Sequence, residues 1–267
     1  MKTILCPIDF TPKSDRLLNY MTSLTRDRNG KIYLVSTRAS IKKELVLTGS
    51  HKREVSRLDE IHDFVSGIEG VSCGIVDETL SGNLYKKLGN IADNYDIMAV
   101  MITPSTTDEK AKDVDLPKVI QDTLVPILVI PDRFPYQKIT RLLYAYDYKH
   151  ETEPPIMQLN WVADWFDAEM VFITLMPGDT SVKEESKWTS IQFAIKNSWK
   201  SKNRISFETI VYPNLPNGLE HYLGLSNAND LLVLSINHQN ILERVWYKRV
   251  IKGVLQYSKH PYLIIHE

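Results

Sequence analysis

Two aspartates, Asp9 and Asp147, close apolar runs of one design, KTILCPID and TRLLYAYD, and a further apolar run begins 22 residues after each, KIYLVST at Lys31 and EMVFITL at Glu169. The pattern continues in step. VSCGIVDETL and ISFETIVY start at Val71 and Ile205, each 25 residues before another aspartate, Asp96 or Asp230, which opens DIMAVMI or DLLVLSI. VPILVIPD and HPYLIIHE close the two halves, with Pro126 and Pro261 lying 30 and 31 residues beyond those aspartates. Five ordered matches at nearly constant offsets predict two copies of one design, in domains 1–134 and 138–267. The joint, DRFPYQKIT from Asp132 to Thr140, is too short and too poor in glycine and serine for a flexible tether, so the halves are expected to pack together.

Between the apolar runs the periodicity becomes helical. Thr11 and Pro12 offer a helix cap and first turn, Leu17, Leu18, Met21 and Leu24 share a face, and Gly30 stands where a carboxy-terminal cap belongs. In the second half Pro154 and Pro155 open a helix that turns Ile156, Leu159, Val162 and Phe166 inward. Second helices are marked by Val55, Leu58, Ile61 and Val65, and by Trp188, Ile191, Ile195 and Trp199, faces that read as core contacts. Continuous apolar strands alternating with helices are buried on both sides, which makes the fold class α/β: two tandem doubly wound domains with mainly parallel sheets.

Composition narrows the function. At 267 residues and 43% apolar the chain can fill two cores, and 32 basic against 33 acidic residues leave a net charge of -1, with no bulk field for nucleic acid or an acidic membrane. MKTILCPIDF has no cleavage-site pattern and no apolar run reaches the ~18 residues of a membrane span, so a cytoplasmic protein is expected. Cys6 and Cys73 lack CxxC spacing and read as reduced core thiols. The seven histidines show no metal-ligand spacing, and no GxSxG elbow or Cys/His pair names a nucleophile. The expectation is therefore no metal and no enzyme. The basic segment Ile41–Arg57 reads as a solvated, flexible approach to the second helix of the first copy.

The strand ending P-x-D-F with a threonine after it, the strands KIYLV and YDIMAV, the closing VPILVIP and the segment DLLVLSINHQNILERVWYKRVIKGVLQYSKHPYLII together resemble the universal stress protein family. The resemblance covers the chain as two tandem copies. It implies a Rossmann-like sheet of order 3-2-1-4-5 in each, and pairing of the copies as a pseudo-dimer through their last strands, 126–131 and 261–266. A further homo-oligomer is compatible with it.

Members that bind ATP carry a pattern like G-x2-G-x9-G-[ST] after the fourth strand. Glycine there lets backbone amides approach phosphate oxygens with no Cβ in the way. In the second copy the pattern falls on Ser235, His238, Lys248 and Arg249, and in the first copy Met101 and Pro104 hold the early positions before the acidic STTDEKAKDVD. Every glycine is gone. What survives is the aspartate ending the first strand, Asp9 and Asp147, which contacts the nucleoside in ATP-binding relatives and which also suits a turn cap. Thr37 and Leu175, at the ends of the second strands, are too generic to decide anything. The resemblance thus implies a regulatory, partner- or ligand-binding protein without a cofactor. Two alternatives stay open: an adenine-nucleotide (ATP) sensor in the second copy, with Asp147 on the nucleoside, Lys248 and Arg249 receiving the anion by side chains and His238 adding a hydrogen bond, and a nucleotide hydrolase by fold analogy.

Overall fold

The computed structural model describes residues 3–8, 10–36, 51–76, 91, 98–102, 123–146, 153–176, 178, 180–211, 221–222, 227–236 and 260–266, with only the backbone of 51–56. The chain divides into two compact units, Met1–Tyr136 and Gln137–Glu267.

The first unit runs β1 (Thr3–Ile8), α1 (Pro12–Arg26), β2 (Lys31–Ser36), α2 (His51–Ser66), β3 (Ser72–Ile75), β4 (Ala99–Ile102) and β5 (Ile127–Val129). Its strands lie in the order β3-β2-β1-β4-β5, every pair parallel. The second runs β6 (Arg141–Ala145), α3 (Ile156–Phe166), β7 (Glu169–Met176), α4 (Val182–Ser198), β8 (Ile205–Val211), β9 (Asp230–Ile236) and β10 (Tyr262–His266). Here β8-β7-β6-β9-β10 is the order, again parallel throughout. Both sheets thus follow 3-2-1-4-5, as the resemblance implied. All ten expected apolar runs hold a strand.

Burial explains the composition of those runs. β4, β5 and β10 are buried at every residue and β9 at all but Ser235, whereas β3 is half-buried throughout and β8 alternates toward solvent at its end. Continuous Leu/Ile/Val sequence marks strands covered on both faces, and mixed sequence marks rims.

Helix ends follow side-chain chemistry. Thr11 caps α1 by accepting from the Ser14 amide, with Pro12 in the first turn. At the other end the structure departs from expectation: Asn29, at φ 48°, takes the left-handed conformation, while Gly30 donates its amide to the Thr25 carbonyl 3.0 Å away. Asparagine tolerates that region better than most residues, so the glycine was not needed for the turn. α3 stops in the same manner at Asp167, φ 46°, beside Lys202 at 3.1 Å. Ile156 is only half-buried, and Trp165 completes the inward face of α3 with Leu159, Val162, Ala163 and Phe166. α4 opens with a reciprocal cap in which Ser181 accepts from the Glu184 amide and Glu184 accepts from the Ser181 amide. α2 already begins at His51, so the end of the basic segment is helical, and residues 41–50 lie outside the described residues.

Candidate functional site

In a doubly wound sheet the chain leaves the central strand in opposite directions, and a crevice opens at the carboxyl ends of the two strands flanking that reversal. Those strands are β1 with β4 in the first unit and β6 with β9 in the second.

In the second unit the carboxyl end of β6 is held on both sides. Tyr146 donates its amide to the Ile173 carbonyl at 2.8 Å, and the buried Thr174 hydroxyl donates to the Tyr146 carbonyl at 2.8 Å. Across the reversal, Tyr144 Oη and Ser235 Oγ lie 2.8 Å apart, and either hydroxyl can be the donor. The two tyrosines project from the same face of β6, as residues two apart in a strand must. Tyr144 meets Phe172 edge-on at 5.2 Å, and Tyr146 stacks on Trp188 at 5.8 Å. Trp188 meets Phe207 at 5.9 Å and donates its indole N–H to Thr209 Oγ1. Trp199 donates its own to the Asn203 carbonyl. Both tryptophans therefore serve the core beneath α4.

Ser235, the first position of the loop pattern, lies within β9, paired in register with Ile265. Its φ is not among the positive values found in the described residues, so the backbone there uses none of glycine's freedom. In the first unit Met101 fills the equivalent place inside β4 and is fully buried. Asp9, Asp147, His238, Lys248 and Arg249 lie outside the described residues, as do Thr37 and Pro104. Leu175 is a half-buried residue of β7.

At the carboxyl end of β1, Phe10 has φ 58°, an uncommon conformation for a bulky side chain. The Arg57 guanidinium, from α2, lies 5.2 Å from its ring centroid. Sequence gave no sign of that strain, because the P-x-D-F motif drew attention to the aspartate alone.

A second polar group, also missed, joins the first residues of β6 and β9 to the middle of β8. Arg141 reaches Glu208 at 2.9 Å and Asp230 at 3.5 Å, Tyr222 donates to Glu208 at 2.6 Å, and Asp230 Oδ2 accepts from the Asn227 amide at 3.0 Å. Burial, then the Glu208 carboxylate, pushes the Tyr222 hydroxyl up to about 12. Burial pulls the imidazole of His260 down, against the attraction of Asp230. Asp230, the repeat's opening aspartate, is thus bound into a structural network. Glu208 could have been singled out as a charged residue in the interior of a strand.

Cys6 is buried and Cys73 half-buried, and neither forms a disulfide. Among the described residues no group of three or more His, Cys, Asp or Glu could hold a metal ion, and no helix is long and apolar enough to cross a membrane.

No protein-family model matches the chain, and no curated protein matches it in sequence. Solved structures do. A universal stress protein from Archaeoglobus fulgidus superposes with TM-score 0.66 at 13% identity, covering 99% of this chain and 96% of that one. A functionally unknown protein from Pseudomonas aeruginosa gives TM-score 0.64 at 11% identity, with 100% and 92% covered. Another Pseudomonas aeruginosa protein, provisionally named a universal stress protein, gives 0.60 at 12%, with 100% and 93% covered. At such identities the likeness is one of fold, and the fold carried along the whole length of this chain is that of the universal stress proteins.

Proposed function

We propose that the chain is a non-catalytic regulatory protein of the universal stress type, cytoplasmic, acting through a protein partner or a small ligand and not through bound ATP. The observation that supports this most is the state of Ser235. Where ATP-binding relatives are expected to turn the chain on glycine, this residue continues the β9 ladder and shares its hydroxyl with Tyr144. The buried Met101 supports the same reading for the first unit, since a bulky side chain within β4 stands where the pattern of ATP-binding relatives has glycine. The proposal extends to the absence of an enzyme activity, for which the sequence offers no nucleophile with a base beside it.

The test is whether the purified chain carries or binds nucleotide. Native mass spectrometry should show the bare polypeptide mass, and equilibrium dialysis with millimolar ATP should show no saturable binding. One tightly held ATP per chain would overturn the reading in favour of a sensor. Slow ATP consumption lost on Asp147→Ala would favour a hydrolase instead.

A further inference from the structure

We draw no further inference here: the strongest candidate, the Arg141, Glu208, Tyr222 and Asp230 side-chain cluster between the first residues of β6 and β9 and the middle of β8, carries nothing because its charges and hydroxyl are engaged with one another, the one unpartnered oxygen, Asp230 Oδ1, is sealed from solvent, and nothing in the structure shows a ligand that would reach it.

Discussion

Tyr144 and Ser235 share a hydrogen bond of 2.8 Å across the point where the second sheet reverses direction. The bond joins β6 to β9 through side chains in addition to their parallel ladder. Tyr144→Phe and Ser235→Ala should each lower unfolding free energy by ~0.5–1.5 kcal/mol. The double variant should lose less than the sum, because both changes delete the same bond. Urea denaturation of the four proteins measures this, and strict additivity would show that the contact contributes nothing.

Restoring glycine alone should not restore a nucleotide site. Ser235→Gly removes the hydroxyl and loosens a strand interior at a cost of ~0.5–1 kcal/mol, while the neighbouring backbone stays committed to β10. We expect ATP affinity of this variant to remain unmeasurable at millimolar concentration by calorimetry. Micromolar binding would mean that a single side chain had been blocking an otherwise intact cradle.

Gly74 is set by a neighbour. A Cβ built on it would lie 2.5 Å from Cε1 of Tyr33, the residue beside it on β2, whose hydroxyl is held by Lys31 Nζ at 2.6 Å. Gly74→Ala should cost ~1–3 kcal/mol as the ring is displaced from that position. In a Tyr33→Ala background the same change should be nearly neutral. An equal penalty in both backgrounds, read from thermal melts, would remove the ring as the cause.

Much of this architecture could be read in advance, and the reason lies in the strands. A segment such as DLLVLSI is buried on both faces, so its sequence is apolar almost throughout and the repeat offsets remain visible. Gly30 shows where local reading failed: two residues could have ended α1, and the hydrogen bond of Gly30 to Thr25 left the left-handed turn to Asn29. That the side chains around Arg141 converge was hidden for a different reason. Glu208 and Asp230 lie 67 and 89 positions from Arg141, and only the assembled sheet brings them into one network with it.

That network yields a graded prediction. Arg141→Met leaves the carboxylate of Asp230, which is 2% exposed, without its guanidinium, whereas Glu208→Gln keeps a neutral acceptor at a better-solvated place. The first should approach a loss of ~3 kcal/mol. The second should stay near ~1 kcal/mol. Chemical denaturation giving the reverse order would show that Arg141 depends on Glu208 and not on Asp230.

Cys73 should be a poor nucleophile. Burial pushes its thiol up to about 11, against the opposing pull of the Gly74 backbone and the charge of Lys31. A raised pKa means that the folded state holds the proton more tightly, so the associated stability is complete below about pH 9 and falls as pH rises toward about 11. Alkylation by iodoacetamide, followed by peptide mass spectrometry, should be slow at pH 8 and accelerate with alkali. Fast labelling of Cys73 in the native protein at neutral pH would contradict this.

The tail of the first unit has a practical meaning for anyone dividing the chain. Beyond β5, Asp132 accepts two bonds from Arg16, at 2.7 and 2.9 Å, while Tyr136 bonds Asp27 at 2.6 Å and sets its ring edge-on to Tyr20 at 5.2 Å. These residues belong to the lining of α1 as much as to the passage between units. A fragment cut after Pro131 strands an arginine and bares an aromatic flank, whereas one ending at Tyr136 takes its own clasp along.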